Sequence, residues 1–324
     1  MAMDVVLIGT GGIANEHARA IKKVNGLRLA GVFSSDKHRA GEFAKRYGIK
    51  DYTDLDDILK NPGVKILDIV NQNYLHGDFA LQGIKAGKNV IIEKPIDIDV
   101  AKARRIVEES KKRGVAVTVI SQYRFGGGFR KVKGMAESGG LGKLIMGVVV
   151  IGKHRNRGDY ESGEGWKKSW KTAGGGVLML NAVHYVNILR WIFGEVKSAK
   201  SELATLTHDI EVEDTGGIVM KFNSGGVATI TATTSLKFNI PDRVEIYGSK
   251  KSVILENGRI VKKFYCNRVY AMLVSRLSWL SFTRQGCIRE QIENFARFLE
   301  SREKLGVSAE DGLKDLEVLG KVYK

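Results

Sequence analysis

Short apolar runs alternate with helical patterns along the first 120 residues of this chain. Runs without regular polar interruptions are typical of strands that are buried on both faces of a sheet. They predict strands at 5–8, 27–33, 64–70, 89–92 and 115–120. Helices are predicted between them, at 13–24, 41–47, 55–59, 77–86 and 100–113. This alternation favours an α/β fold with a right-handed, doubly wound parallel sheet.

The second half of the chain consists mainly of strand-like segments separated by Gly and Asn-Gly turns. Strands are predicted at 144–151, 195–206, 214–222, 227–234, 243–248, 251–255 and 260–264, and two helices at 289–302 and 308–323. Seven strands with few helices indicate one large antiparallel sheet. Its free face is suited to joining copies of the chain.

A glycine turn follows the first predicted strand directly. Gly9, Gly11 and Ala14 fit the pattern G-x-G-x-x-G/A, and a helix follows them. In this pattern the glycines allow a tight turn and let a pyrophosphate approach the main chain at the helix N-terminus. The context of strand, turn and helix predicts a Rossmann domain in which Gly9, Thr10, Gly11, Gly12 and Ile13 bind a dinucleotide.

The end of the second strand bears on the choice between NAD and NADP. An acidic residue there normally binds the ribose hydroxyls of NAD, but this chain has Ser34 and Ser35. Asp36 comes one or two residues late, where it could equally cap the next helix, and Lys37 adds positive charge. Hydroxyls and cations favour a 2′-phosphate, so the sequence leans slightly toward NADP; a basic, solvated helix start is the alternative.

The strand at 89–92 ends in Glu93-Lys94-Pro95. Ligands of doubly wound sheets bind at the carboxyl ends of the strands, which makes this tripeptide a candidate site. Pro95 restricts the main chain there, and we expect Lys94 to project toward the ligand.

Composition excludes several classes of protein. The 324 residues carry a net charge of +16, which suits nucleic acid, an anionic membrane or a phosphate-bearing small molecule. The basic residues are spread along the chain without a nucleic-acid-binding motif, so we expect a phosphate-bearing small molecule and no nucleic acid. No apolar run is long enough for a membrane span and no signal peptide is evident, which predicts a cytoplasmic protein. Cys266 and Cys287 form no metal or redox motif.

Several motifs together resemble the Gfo/Idh/MocA oxidoreductases. They are the glycine turn, the N-x-N-x-L-H segment, A-G-K-N-V-I-I-E-K-P-I, S-Q-Y-R-F, G-G-G-V-L-M-L-N-A-V-H-Y and the final V-S-A-E-D-G-L-K-D-L-E-V. The resemblance covers essentially the whole chain. It implies a Rossmann domain at 1–122 and an α/β domain with an open, mostly antiparallel sheet at 123–307, used for substrate binding and oligomerisation. It also implies a C-terminal helix at 308–324 that packs back on the first domain.

The same resemblance implies NAD(P)-linked oxidation or reduction of sugars, inositols or nucleotide sugars by a homodimer or homotetramer. It assigns active-site roles to Lys94 and His184, which we expect to converge on the reacting hydroxyl. Such chemistry needs one group that takes the hydroxyl proton and one that stabilises the developing oxyanion. Further residues are expected to bind the cofactor, namely Ser34, Ser35, Lys37, Asn71, Asn73, His76, Glu93 and Lys94. No metal site is expected.

This chain departs from the family pattern D-x-x-x-H-x-x-D around His184. Leu180 and Asn187 stand at the two carboxylate positions. Because a neighbouring carboxylate would raise the pKa of a histidine and orient it, we expect His184 to be a weaker base. Asn181 and Asn187 lie three residues on either side of His184 and could fix its tautomer or bind substrate hydroxyls. The alternative function is therefore a catalytically weak dinucleotide-binding protein with a regulatory or assembly role.

Aromatic and basic residues before the G-G-G motif suggest what the substrate is. Indoles stack on sugars or bases, and cations bind phosphate. Tyr123, Arg124, Trp166, Trp170 and Asn181 join His184 as candidate substrate-binding residues. They favour a phosphorylated or nucleotide-linked sugar, although the tryptophans could equally cover the core.

One further segment, 259–289, contains no acidic residue and interleaves arginines with large apolar side chains. A basic amphipathic helix can lie on an anionic membrane, but it more often packs on its own sheet or on a partner subunit. We therefore expect no membrane contact.

Overall fold

The computed structural model describes residues 2–162, 165–265 and 283–323. The chain divides into two compact units. The first unit comprises Met1–Gln122 and Gln285–Leu316, and the second comprises Tyr123–Arg284 and Glu317–Lys324.

Strands and helices are numbered in chain order over the described residues. The strands are β1 Met3–Ile8, β2 Leu27–Phe33, β3 Lys50–Tyr52, β4 Val64–Ile69, β5 Asn89–Ile92, β6 Val117–Val119, β7 Leu144–Gly152, β8 Val196–Ala204, β9 Thr215–Phe222, β10 Val227–Thr233, β11 Arg243–Gly248, β12 Lys251–Glu256 and β13 Arg259–Tyr265. The α-helices are α1 Gly12–Ile21, α2 Lys37–Tyr47, α3 Leu55–Lys60, α4 His76–Lys85, α5 Val100–Arg113, α6 Gly127–Glu137, α7 Arg157–Glu161, α8 Trp170–Ala173, α9 Val183–Phe193, α10 Arg284–Leu299 and α11 Ala309–Val322.

The described residues of the first unit form a parallel sheet of six strands in the order β3-β2-β1-β4-β5-β6. This is the strand order of doubly wound dinucleotide-binding folds, and it confirms the predicted fold class. Strand β1 lies in the middle, and Val5 to Ile8 are buried as their apolar run predicts. The sequence missed β3, because an edge strand of three residues with two exposed positions has no hydrophobic pattern.

Helix α10 belongs to the first unit, which differs from the sequence-based boundary that placed residues 285–307 in the second domain. Its Ile288, Ile292 and Phe295 are buried in one cluster with residues of α1 and β2. The Gln291 side chain accepts a hydrogen bond from Ser121 N at 2.9 Å and donates one to Val119 O at 2.8 Å. An amphipathic pattern predicts that a helix has a buried face, but not which sheet covers that face.

Helix α11 is shared by the two units, which divide between Leu316 and Glu317. In the first unit, Lys111 Nζ lies 2.7 Å from Glu310 Oε1. In the second unit, the Tyr323 hydroxyl donates a hydrogen bond to Glu213 Oε1 at 2.8 Å.

The second sheet has seven strands among the described residues, in the order β13-β12-β11-β7-β10-β9-β8. All neighbours are antiparallel except β7 and β10, which run parallel. This confirms the predicted, mostly antiparallel open sheet. Helix α9 packs on one face, where Phe193 stacks on Phe222 with ring centroids 4.9 Å apart.

Within the described residues, one helical stretch, Trp170–Phe193, is long and apolar enough to span a membrane. Because 83% of its most apolar window is buried inside the protein, it has the character of a core helix. Cys287 is a buried free thiol, as expected. Cys266 and most of the basic segment, 266–282, lie outside the described residues.

We expect Phe295→Ala to lower the free energy of unfolding of the first unit by about 3–5 kcal/mol, because it leaves a cavity in the cluster that α10 forms with α1. Urea unfolding followed by circular dichroism measures the change. Phe238→Ala is the control, since that ring is 71% exposed, and it should unfold like the wild type. Equal loss of stability in both variants would contradict the packing of α10.

Candidate functional site

The glycine turn between β1 and α1 is set by close contact with the end of β4. Gly9 has a φ of +119°, and a Cβ there would lie 2.9 Å from Asn71 N. No other residue fits both the space and the left-handed conformation. The turn therefore lies directly against the start of the N-x-N segment.

The N-terminus of α1 is open and without a side-chain cap. A Cβ at Gly11 or Gly12 would meet no heavy atom within 4 Å, and the first turn of α1 holds no acidic residue. Its first main-chain N–H groups and the helix dipole suit a negatively charged group. Thr10 and Ile13 lie half-buried in the same turn.

Two buried polar atoms next to this turn have no hydrogen-bond partner among the residues that the structure describes. They are Asn71 Oδ1 and Asn73 Nδ2. Buried amides are rarely left unpaired, so a bound polar molecule is a physical reason for both. Together with the open space at Gly11 and Gly12, they fit a dinucleotide.

At the end of β2, Asp36 caps the next helix. Its carboxylate accepts a hydrogen bond from Arg39 N at 3.0 Å, and Asp36 N donates to Ser34 Oγ at 3.3 Å. Of the two roles that the sequence left open for Asp36, the structure shows the cap. Ser35 and Lys37 are exposed beside it.

His76 has a different place from the cofactor contact that we expected. The ring is fully buried, with Nδ1 2.7 Å from Pro95 O and Nε2 3.2 Å from Asn71 O. Burial lowers the pKa of His76, so the ring is neutral, and the shorter contact favours a proton on Nδ1. His76 thus links the E-K-P loop to the N-x-N segment, and its side chain is not available to a ligand.

A buried cluster of charged side chains that the sequence did not reveal lies under the E-K-P loop. His17 of α1 places Nδ1 2.8 Å from Asp68 Oδ2 and Nε2 3.1 Å from Glu93 Oε1. Burial by itself lowers the pKa of His17, but the attraction of Asp68 and Glu93 and their hydrogen bonds outweigh it and raise the pKa to about 10. The imidazole is therefore a cation between two carboxylates at neutral pH.

Glu93, which we expect to bind the cofactor, also links the buried cluster to the main chain. Its buried carboxylate contacts His17 through Oε1 and accepts a hydrogen bond from Lys94 N through Oε2 at 3.0 Å. The main chain at Lys94 is thereby connected to the buried cluster. One signal was present in the sequence, since Asp68 interrupts an otherwise apolar strand.

In the second unit, a buried carboxylate fixes the start of the helical segment that carries His184. Glu213 accepts hydrogen bonds from Gly176 N at 2.8 Å and from Leu178 N at 2.9 Å. Burial raises the pKa of Glu213, and these two N–H groups act against that rise. A side chain at position 176 would overlap the main chain of Glu213, which explains the last glycine of G-G-G.

His184 lies in the first turn of α9 and stacks on Tyr123, with ring centroids 4.8 Å apart and planes at 25°. Tyr123 in turn contacts Tyr185 and Phe129, at centroid distances of 5.3 and 5.9 Å. The aromatic contacts hold the imidazole plane. Leu180, one turn earlier, is buried.

Arg124, an expected substrate-binding residue, takes part in packing within the second unit. The side chain is buried, its Nε donates to Asn187 Oδ1 at 2.8 Å, and its guanidinium lies 5.6 Å from the Trp191 ring centroid. Asn187 is 2% exposed, so it is not placed to bind a substrate hydroxyl. Arg124 and Asn187 anchor α9 to the segment that follows β6.

The other substrate candidates remain accessible in part. Asn181 is half-buried and accepts a hydrogen bond from Arg155 Nη2 at 3.1 Å. Trp166 is half-buried, and Trp170 is exposed, with its ring edge-to-face against Tyr323 at 5.2 Å. The part of the chain that the structure describes holds no cluster of His, Cys, Asp and Glu suited to a metal ion.

Two family models match this chain. The model described as "Oxidoreductase family, NAD-binding Rossmann fold" of Gfo/Idh/MocA matches residues 3–121, and the GFO/IDH/MocA C-terminal domain matches residues 129–254. Each match falls within the segment that carries the corresponding sheet.

Known proteins resemble the chain over nearly its whole length. Myo-inositol 2-dehydrogenase of Thermotoga maritima is 24% identical over 317 residues, which cover 96% of this chain and 92% of that protein. The WlbA dehydrogenase of Bordetella pertussis, solved with NADH and UDP-GlcNAcA, has a TM-score of 0.88 at 24% identity, covering 100% of this chain and 96% of that one. A levoglucosan dehydrogenase solved with NADH has a TM-score of 0.88 at 19% identity, with coverage of 100% and 96%. At these identities the solved structures show the fold.

We expect His17→Gln to lower the free energy of unfolding by about 3–5 kcal/mol, because Asp68 and Glu93 lose their buried cation. Below the ordinary pKa of 6.5, His17 is protonated in both states and stabilises fully; between pH 6.5 and 10 only the unfolded chain loses the proton. The stability of the wild type should therefore fall with rising pH more steeply than that of the variant, by up to about 1.4 kcal/mol per pH unit.

Urea titrations from pH 7 to pH 9 measure this difference. His38→Gln removes a histidine side chain that is 82% exposed and should unfold like the wild type. Parallel pH curves for the wild type and His17→Gln would show that His17 is not a buried cation.

Proposed function

This chain belongs to the Gfo/Idh/MocA oxidoreductase family, and we propose that it transfers hydride between a nicotinamide dinucleotide and a hydroxyl or keto carbon of a sugar. The observation that carries the proposal is the open, uncapped N-terminus of α1 beside the unpaired amide atoms of Asn71 and Asn73. A dinucleotide would occupy this space and satisfy these atoms.

The residues that would hold the dinucleotide belong to the first unit. The main-chain N–H groups at Gly11, Gly12 and Ile13 would bind its pyrophosphate, as helix N-termini do. The amides of Asn71 and Asn73 would bind further polar atoms of the dinucleotide. When bound, the dinucleotide supplies or accepts the hydride.

Lys94 and His184 have the two acid–base roles in this proposal. One takes up or returns the proton of the substrate hydroxyl, and the other stabilises negative charge on the same oxygen. The contact of Glu93 with Lys94 N supports a fixed main chain at Lys94, and the stacking of Tyr123 supports a fixed imidazole plane at His184.

The proposed substrate is a phosphorylated or nucleotide-linked sugar. Trp166 and Trp170 provide ring surfaces, and Arg155 and Lys167 provide positive charge in the segment before α9. Among the similar proteins, one is a myo-inositol 2-dehydrogenase and another was solved with UDP-GlcNAcA, which agrees with polyhydroxylated and anionic substrates.

The exposed face of the second sheet supports assembly into a homodimer or homotetramer. Ile145, Met146, Val219 and Val227 are between 38% and 53% exposed there. Large apolar side chains exposed together on a sheet commonly mark an interaction surface.

Turnover tests the proposed roles. Nicotinamide absorbance is followed with NADH, NADPH, NAD⁺ or NADP⁺ while oxidised and reduced sugars, sugar phosphates and UDP-sugars are supplied. We expect one of these substrates to react, and Lys94→Ala and His184→Ala each to lower kcat by about 10²- to 10⁴-fold, as loss of a general acid or base does.

Lys60→Ala is the control, because that lysine is exposed and pairs only with the neighbouring Asp56 among its described contacts. Full activity in both Lys94→Ala and His184→Ala would remove these residues from the mechanism. Cofactor binding without turnover of any substrate would favour a catalytically weak dinucleotide-binding protein. The buried Leu180, which stands at a carboxylate position of the family pattern, would then be a reason for the weak catalysis.

We also propose a preference for NADP over NAD. Asp36 is engaged as a helix cap, so Ser34, Ser35 and Lys37 are left to meet the 2′-position of the ribose. A carboxylate there would accept from the ribose hydroxyls and repel a 2′-phosphate.

Replacing Ser35 tests this preference. In fluorescence titrations we expect the wild type to bind NADPH more tightly than NADH, and Ser35→Asp to weaken NADPH binding by about tenfold or more through loss of a phosphate contact and added repulsion. Ser138→Asp makes the same change at an exposed position of the second unit and should leave both affinities unchanged. Equal binding of NADH and NADPH by the wild type would contradict the preference.

A further inference from the structure

Two basic side chains of the second unit, Arg155 and Lys167, are each half-buried. They lie in the segment that precedes the helix of His184. Within the described ranges, neither forms a salt bridge, whereas the adjacent Arg157 and Lys168 both pair with Glu161. A positive charge that is partly removed from water without a carboxylate partner is unfavourable. The partial burial of these two cations without a carboxylate therefore needs an explanation, which a solvated surface does not give.

Arg155 is held in place from several sides. Its Nη2 donates to Asn181 Oδ1 at 3.1 Å, and the guanidinium lies 5.5 Å from the Tyr160 ring centroid. His208 Nδ1 is hydrogen-bonded to Asp214 Oδ2 at 2.9 Å, and His208 Nε2 contacts Arg155 O at 3.0 Å. Yet Arg155 Nη1 is buried with no hydrogen-bond partner among the described residues. A fixed guanidinium with one unused donor nitrogen has the geometry to bind an anion.

Lys167 adds a second positive charge near Arg155. Its Nζ donates to Asp159 O at 3.0 Å and to Ser162 Oγ at 3.1 Å, which are both neutral oxygens. The carboxylate of Asp159 is used elsewhere, since it accepts from Asn156 N at 2.8 Å in the cap of α7. Burial lowers the pKa of Lys167, and repulsion from Arg155 lowers it further, against the weaker effect of Asp159.

The position of the pair relates it to the proposed chemistry. Asn181, which accepts from Arg155, lies three residues before His184, in the π-helical turn Leu178–Ala182 that leads into α9. A molecule bound by Arg155 would therefore lie beside the helical segment that carries His184.

We propose that Arg155 and Lys167 form an anion subsite that binds a phosphate or carboxylate group of the substrate, and that Asn181 orients Arg155 toward it. Only the description of the ligand as a substrate rests on the proposed function. The anion offsets the repulsion between the two cations and gives Arg155 Nη1 an acceptor. Both ligand groups present paired oxygens, which suits a guanidinium.

Binding of anions tests the subsite independently of turnover. Isothermal titration calorimetry is performed with inorganic phosphate, UDP, D-glucuronate and uncharged D-glucose, with NAD⁺ present so that the glycine turn does not compete for phosphate. We expect an anion to bind and glucose not to. Arg155→Gln and Lys167→Gln should each weaken anion binding by about tenfold to a hundredfold, which is the effect of losing one charge-assisted hydrogen bond.

Lys168→Gln is the matched control, because it removes a neighbouring charge that is paired with Glu161, and it should change the affinity less than twofold. Arg155→Lys keeps the charge and should retain part of the affinity for the anion. Thermal unfolding of each variant shows whether it folds. Binding of phosphate and UDP alone identifies a phosphate-bearing ligand, and binding of glucuronate alone identifies a carboxylate.

Anion binding that is equal in the wild type, Arg155→Gln and Lys167→Gln would overturn the subsite, as would the absence of binding for every anion. The two proposals fail separately. Anion binding that depends on Arg155 without any turnover supports the subsite and not the enzyme. Turnover of a neutral sugar that is unaffected by Arg155→Gln supports the enzyme and not the subsite.

Discussion

A buried positive charge on His17 is the constraint around which the first unit is arranged. The imidazole comes from α1, Asp68 comes from β4, and Glu93 follows β5. Because a charge without a partner is very unfavourable in the interior, the three elements must meet in one register. Glu93 also accepts from Lys94 N, so the loop that carries the proposed catalytic lysine is tied to the core of the sheet. Gly9 of the glycine turn lies against Asn71, which follows the same strand, β4, that carries Asp68.

The second unit uses a related device for a different element. The buried carboxylate of Glu213 accepts from two main-chain N–H groups at the start of the helical segment that leads to His184. These groups have no partner within a helix and must find an acceptor outside it. In both units, then, a buried carboxylate fixes the main chain that carries a proposed catalytic side chain. Precision at Lys94 and His184 depends on polar groups that do not themselves react.

The departures from the family pattern around His184 have a local consequence for charge. Where the pattern has a second carboxylate, Asn187 meets Arg124 with an amide oxygen. Leu180 is buried in place of the first. Arg155 likewise meets an amide oxygen, that of Asn181. The side chains at these positions thus carry less negative charge than the family pattern has.

Local sequence determined the two sheets and the glycine turn, because apolar runs and glycine spacing act on residues that are close along the chain. The strands of both sheets were predicted within a few residues, apart from the polar edge strand β3. Lys94 and His184 were singled out by motif. What only the tertiary structure decided are the contacts between distant residues. His17 and Glu93 are 76 positions apart, and Arg124 and Asn187 are 63 apart. Helix α10 packs against α1 and β2, which lie near the start of the chain. The sequence predicted that His76 contacts a ligand, whereas in the structure its ring lies between Pro95 O and Asn71 O. Which groups surround a histidine is set by the folded chain as a whole.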